Sequence, residues 1–182
     1  MRIITGSARG AVLKTLEGER TRPTAEKVKE AVFSALQFDL EGRSFLDLFA
    51  GSGQLGIEAL SRGASLAVFV DSNPESVKVT RENLKNTDLY QKSRVVAMDS
   101  FAYLGGCKDK FDIILIDPPY SKDIISQILP KAVEKTEENG IIICEHDKKD
   151  QLPEEVGEFC KFRTYSYGRI ALTTYRKRNE EE

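Results

Sequence analysis

With 182 residues, 40% apolar and 31% charged, the chain has the length and composition of one soluble domain, outside the range of disordered, fibrous or membrane-spanning sequences. Three cysteines (Cys107, Cys144, Cys160) without a C-x-x-C exclude a disulfide framework and a zinc knuckle, and a single histidine, His146, argues against Ser-His-Asp chemistry and histidine-rich metal sites; no metal is expected, and the expected compartment is a reducing cytoplasm. The net charge of −2 is unevenly spread, with +4 on residues 1–29, −9 on 30–160, +6 on 161–178 and −3 on 179–182, so basic ends able to meet phosphates flank an acidic body unless they are merely solvated faces.

The opening residues, MRIITGSARG, lack the apolar stretch of a secretory leader. Arg2–Thr5 and Ala11–Leu16 read as two short strands joined by a glycine-flanked turn. Pro23 fixes φ, and Thr24 is placed to cap a helix over about 25–38, with Val28, Val32 and Leu36 on one face. This extension, residues 1–40, is too short to be a domain and is expected to pack on a core of residues 41–182.

Strand and helix then alternate. Phe45–Phe49 reads as a strand, Gln54–Arg62 as a helix closed by Gly63, and Leu66–Val70 as a strand. Asn73-Pro74 supplies a cap and a first-turn proline for a helix to about Asn86. Arg94–Met98 is the next strand. Phe111–Ile116 is another strand, its apolar run Ile113–Ile116 continuous rather than alternating, as in a strand buried on both faces. Ile124, Ile125, Ile128, Leu129, Ala132 and Val133 form a helical stripe that Pro130 should kink or split. Ile141–Cys144 is a buried strand, and Phe159–Tyr165 with Ile170–Lys177 an antiparallel pair around Tyr167-Gly168. This pattern predicts an α/β fold: a doubly wound, mostly parallel sheet with an antiparallel C-terminal edge.

Two motifs carry chemistry. The first runs from Asp47 through Phe49 to Gly51-Ser52-Gly53 and Gly56, after a strand and before a helix. Its glycines allow a tight turn and close ligand approach, and the helix start supplies N–H donors. Asp71, followed by Ser72, ends the next strand, where a carboxylate accepts ribose hydroxyls. This fits a nucleoside cofactor without choosing between a dinucleotide and S-adenosylmethionine. The second motif makes that choice. Asp117-Pro118-Pro119-Tyr120 follows the strand at Phe111–Ile116. Oxygens of Asp117 and the Pro118 carbonyl can accept both hydrogens of an exocyclic amine, and Tyr120 can stack on the base, an interaction worth about 1–3 kcal/mol.

On these residues the chain resembles class I S-adenosylmethionine-dependent methyltransferases that modify a nucleobase amine. RIITGSARG, TRPTAEKVKEAVF, DLFAGSGQLGIEALSRGA and DPPY together resemble the small-subunit ribosomal RNA guanine-N2 methyltransferase family (RsmD) across nearly the whole chain. The resemblance implies a Rossmann-like fold and methyl transfer from S-adenosylmethionine to N2 of one guanine in 16S rRNA, on assembled small subunits; a monomer is expected. It implies that Phe49, Gly51 and Gly53 cradle the methionine part, with Asp47 at the loop's root. Asp71 and Ser72 would hold the ribose, and Asp99, with Ser100 and Phe101 beside it, would meet the adenine. Asp117, Pro118 and Tyr120 would handle the target base. Arg22 and Thr24 would lie near the mouth, with Arg9 and Arg20 among the basic residues facing RNA.

Three rivals share parts of this pattern. A nicotinamide-dependent oxidoreductase would use the same glycines but leaves DPPY without a task. A non-catalytic RNA-binding module would not need Asp117. A DNA or RNA adenine or cytosine amino-methyltransferase also uses DPPY. His146 reads as a packing or solvated histidine, and Cys107 and Cys144 as apolar fillers. Glu58 reads as structural or functional, and Tyr165, Tyr167 and Tyr175 as sheet cover or RNA-stacking rings.

Overall fold

The computed structural model describes residues 1–17, 23–36, 39–119 and 123–178. In chain order its elements are α1 (Pro23–Ala35), β1 (Ser44–Asp47), α2 (Gln54–Ser61), β2 (Leu66–Asp71), α3 (Pro74–Asn86), β3 (Ser93–Ala97), α4 (Ser100–Gly106), β4 (Phe111–Ile116), α5 (Ile124–Glu134), β5 (Thr136–Asp147), β6 (Glu155–Val156), β7 (Phe159–Tyr167) and β8 (Ile170–Lys177). The strands form one sheet in the order β3-β2-β1-β4-β5-β8-β7-β6. The first five in that order are mutually parallel, while β8 and β7 complete an antiparallel edge. The predicted fold class is therefore observed.

Alternation along each strand sorts the core into two layers. Phe45, Phe69, Ile113, Leu115, Ile141 and Ile143 face one side, where α1, α2 and α3 contribute Val28, Val32, Phe33, Ile57 and Leu84, with Leu36 just after α1. Leu46, Val68, Ile114, Ile116 and Ile142 face the other, under Leu104 of α4 and Ile125, Ile128 and Leu129 of α5. Each such side chain contributes roughly 1.5–3 kcal/mol by burial.

The N-terminal hairpin is looser than expected. Its two strands reduce to a single antiparallel bridge, Arg2 to Val12. The Ile3 N–H still donates to the Ala11 carbonyl at 3.0 Å and the Leu13 N–H to the Met1 carbonyl at 2.8 Å, but the donors that follow go to α2: Glu58 accepts the Ile4 and Thr5 N–H groups at 2.8 and 3.0 Å, and Ser61 Oγ accepts that of Ala8 at 3.0 Å. Helix α1 begins at Pro23, so Thr24 lies within its first turn rather than capping it. A proline there has no N–H to satisfy. Pro130 does not split α5, which runs through it. Pro130 and Ser126 are both exposed, so the Ser126 carbonyl that the ring releases can turn to water. Helix α4 was not anticipated, although Asp99 caps it by accepting the Ala102 N–H at 3.0 Å.

Glu58 joins the extension to the core. It is 0% exposed and pairs with Lys29 of α1, itself 1% exposed, at 2.8 Å and with Arg62 at 2.8 Å. Lys29 also donates to the Arg2 carbonyl at 3.1 Å. Burial alone would raise the Glu58 pKa, but the Lys29, Ile4 and Arg62 donors outweigh it and hold the carboxyl below its ordinary value. Burial lowers the Lys29 pKa, with Glu58 opposing. Of the two roles open to Glu58, the structural one is observed.

Candidate active site

Strand order reverses between β1 and β4, whose neighbours lie on opposite sides. Loops leaving the carboxyl ends of adjacent strands there diverge and open a crevice, the usual ligand position in such sheets. Asp47 ends β1, paired between Phe69 and Leu115, and is buried at the root of the glycine loop. Phe49 is half-buried and packs on the α4–α5 layer.

The loop after β1 is held from several sides. Gly51 and Gly53 adopt φ of 54° and 79°, the left-handed region that favours glycine. The Gly53 N–H donates to the Ala50 carbonyl at 2.7 Å, and the Ala50 N–H to Val70 at 3.1 Å. Asp71 accepts the Gly51 N–H at 2.9 Å and the Asn73 N–H at 2.8 Å. One bond per oxygen leaves about half of the carboxylate's acceptor capacity for hydroxyls. Ser72 is exposed beside it, and Asn73 caps α3 through the Glu75 N–H, as expected.

Two residues that the sequence did not mark fix this loop from α3. Thr80 Oγ1 donates to the Gly51 carbonyl at 2.9 Å, and Asn83 Nδ2 to the Ser52 carbonyl at 2.9 Å. Both are buried. A Cβ built on Gly53 would lie 2.8 Å from Thr80 Cγ2, so a larger residue at Gly53 meets α3 rather than entering the cofactor crevice.

Farther along the same edge, Asp99 is exposed at the start of α4. Ser100 is buried and its hydroxyl turns inward to the Leu48 carbonyl, leaving Phe101 half-buried beside it. Asp117 and Pro118 are half-buried immediately after β4, with Pro119 exposed. The edge thus carries Asp71, Asp99 and Asp117 after three of the strands around the switch point. Tyr120, Arg20 and Arg22 lie outside the described residues, as does the side chain of Thr24.

Among the described residues, the basic side chains do not gather around Asp117 as the sequence suggested. Arg9 is exposed on the hairpin whose Ser7 and Ala8 bond Ser61, at the opposite end of α2 from the glycine loop. Strand β8 runs antiparallel to β5, pairing Asp147 with Ile170 and Ile141 with Arg176. Arg169 therefore sits at the crevice edge, 91% exposed. Arg176, Lys177 and Arg178 lie at the far edge, paired with Asp39, with Glu138 and Glu158, and with Glu155. Strand direction and the acidic body together remove most of the 161–178 charge from the crevice.

Tyr175 is fully buried with its hydroxyl on the Pro153 carbonyl at 2.7 Å, which excludes it as a stacking ring. Tyr165 and Tyr167 pack on the core layer shared with α1, so they cover the sheet. His146 is buried and bonded through both ring nitrogens to Asp147 O and Thr173 Oγ1. Burial pushes the Cys144 thiol pKa up, which keeps it unreactive. Among the described residues no cluster could hold a metal ion, and no helix is long and apolar enough to cross a membrane.

Residues 1–176 match the family described as "Conserved hypothetical protein 95". The chain is similar to the "Putative rRNA methyltransferase YlbH" of Bacillus subtilis, at 39% identity over 98% of this chain and 100% of that one. It is 28% identical to "Ribosomal RNA small subunit methyltransferase D" of Escherichia coli, over 100% of this chain and 92% of that one. Its fold superposes with a TM-score of 0.86 on a solved structure described as "Putative methyltransferase yhhF from Escherichia coli", at 26% identity and covering 99% of each chain. The antiparallel β8 beside β5 also departs from a dinucleotide fold built of two parallel halves, which removes the oxidoreductase rival. By its motifs, sheet order and relatives, the chain is a methyltransferase and belongs to the Conserved hypothetical protein 95 family.

Proposed function

We propose that the enzyme transfers a methyl group from S-adenosylmethionine to the exocyclic N2 amine of one guanine in 16S rRNA. In this reading it acts in the cytoplasm, as a monomer, on assembled small subunits, with residues 1–40 as an RNA-facing extension of the core 41–182. The observation that carries the reading is the placement of Asp117-Pro118 at the strand-order reversal, on the same edge as the Gly51–Gly53 loop, Asp71 and Asp99.

The donor set fits the cofactor. Asp71 retains acceptor capacity for ribose hydroxyls beside a loop whose turn needs glycine at two positions. Asp99 is exposed for an adenine amine. When bound, S-adenosylmethionine supplies an electrophilic methyl carbon. Asp117 and the Pro118 carbonyl accept the two amine hydrogens and hold the nitrogen lone pair facing the crevice. As that nitrogen gains positive charge, the same oxygens bind its hydrogens more tightly, so stabilisation is greatest in the transition state. No strong base is needed first, because the nitrogen becomes acidic only after transfer. The guanine must be unstacked to reach the pocket, and Tyr120 is the ring that would receive it.

The similarity to ribosomal RNA methyltransferases over nearly the full length supports RNA over a DNA substrate. The test is methyl transfer from labelled cofactor to small subunits lacking the modification, with mass mapping of the product. Label in N2-methylguanosine at one 16S position is expected. Label in an adenine or cytosine, or none, would overturn the assignment.

A further inference from the structure

The buried side chain of Asn83 ties two parts of the molecule that the reaction uses separately. Its Oδ1 accepts the Lys14 backbone N–H at 2.8 Å, and its Nδ2 donates to the Lys14 carbonyl at 2.9 Å. The second Nδ2 hydrogen goes to the Ser52 carbonyl at 2.9 Å. A backbone N–H can only donate, so the partners fix which amide atom is oxygen. Asn83 therefore pairs with the N-terminal arm much as a strand would, and the same amide holds the peptide between Ser52 and Gly53. That peptide's N–H, on Gly53, closes the turn onto Ala50.

An asparagine in a helix interior carries a propensity cost, and here it is 0% exposed. Thr80, one turn earlier, spends its hydroxyl hydrogen on the Gly51 carbonyl and so serves the loop. Asn83 serves the loop and the arm with one amide. The Lys14 side chain is exposed and reaches Glu82 at the surface, so the link to Asn83 runs through the Lys14 backbone.

We propose that Asn83 is a positioning residue that makes the geometry of the glycine loop depend on docking of residues 1–17. The cofactor then binds tightly only when the arm is seated, and whatever engages the arm is coupled to the cofactor site. This inference rests on the reading of the loop as an S-adenosylmethionine site. By linkage, S-adenosylmethionine in turn favours the seated arm to the same degree.

The experiment titrates the parent protein and four full-length variants with S-adenosylhomocysteine by calorimetry. Asn83→Ala leaves the Ser52 carbonyl and both Lys14 groups without their partner, and is expected to weaken binding about tenfold. Lys14→Pro deletes the arm's N–H donor to Asn83 while leaving the Asn83 side chain and its bond to the Ser52 carbonyl in place, and is expected to weaken binding by about threefold or more. Lys14→Ala keeps the backbone and is expected to bind like the parent protein. The double variant Lys14→Pro, Asn83→Ala is expected to be no weaker than Asn83→Ala, because both cut one link. Equal affinities for Lys14→Pro and Lys14→Ala would overturn the coupling, even with Asn83→Ala weakened. Hydrogen exchange of the Gly53 amide without ligand gives a second readout, expected faster in Lys14→Pro than in Lys14→Ala. If the parent protein binds no S-adenosylhomocysteine, the reading of the loop fails, and the exchange rates alone decide the coupling: a difference supports it and equality overturns it.

Discussion

Replacing Gly53 by alanine is expected to destabilise the protein by about 2–5 kcal/mol, through two separable effects. The backbone there has φ of 79°, and holding an L-residue in the left-handed region costs about 1–2 kcal/mol. The new Cβ would also lie 2.8 Å from Thr80 Cγ2 and 3.0 Å from Thr80 Oγ1, too close to be absorbed without movement of α3 or the loop. Overpacking of this kind costs about 1–3 kcal/mol. Thr80→Ser removes the offending methyl but keeps the hydroxyl that holds the Gly51 carbonyl. The double variant Gly53→Ala, Thr80→Ser should therefore recover the overpacking part and retain the backbone part. The assay is urea unfolding of the parent, both single variants and the double, read as a cycle with a coupling of about 1–2 kcal/mol. A cost below about 1 kcal/mol for Gly53→Ala, or no coupling to Thr80, would refute the account of why glycine stands there.

Glu58→Gln should cost about 3–5 kcal/mol in urea unfolding, because it leaves Lys29 charged and buried at 1% exposure without its counter-ion. The Glu58 pKa is lowered in the folded protein, so its stabilisation is present above the ordinary value of 4.5 and lost as pH falls through the folded value; the variant should show a flatter acid limb in stability measured against pH. Replacing Arg9, Arg20 and Arg22 together by alanine should weaken RNA binding and flatten its salt dependence, by about 0.7 in log–log slope for each phosphate left without its arginine. Arg176→Ala should leave that slope unchanged and lower stability instead, since the guanidinium pairs with Asp39 at 2.6 Å on the far edge of the sheet. Tyr120→Phe should retain base capture and Tyr120→Ala should weaken it, by about 1–3 kcal/mol in RNA affinity, if the ring is what stacks.

The sheet was legible because its strands are short apolar runs separated by turn residues. Phe111–Ile116 could be bounded to the residue, because its Ile113–Ile116 run is apolar on both faces and the strand is flanked by Lys110 and Asp117. Asn73-Pro74 marked the start of α3 for an equally local reason, a side-chain cap on the Glu75 N–H. What stayed hidden depends on distant partners. The opening segment has strand-like residues, yet its Ile4, Thr5 and Ala8 donors go to Glu58 and Ser61, more than 50 positions away in the chain. Charge counts placed 161–178 on the RNA face because they carry no direction. Only the antiparallel pairing with β5 shows that Arg176–Arg178 point to the opposite edge. Thr80 and Asn83 looked like ordinary helix-surface polars, and the one local sign was an asparagine in a helix interior, where it is disfavoured. The carboxylates Asp71 and Asp117 were found because each stands at the end of a strand, at the edge where such sheets bind ligands, whereas Asp99 came only from the family resemblance.

Single-turnover methyl transfer by Asp117→Ala, on small subunits lacking the modification, tests the amine clamp most directly. The substitution removes an acceptor whose interaction strengthens as the target nitrogen becomes cationic, so the loss should fall on the rate. A decrease of about 10²–10³ is expected, with S-adenosylhomocysteine affinity retained because Gly51, Gly53 and Asp71 are untouched. A rate near that of the parent protein, in a variant that still folds and binds cofactor, would mean that Asp117-Pro118 is only a turn after β4 and that the amine is held elsewhere.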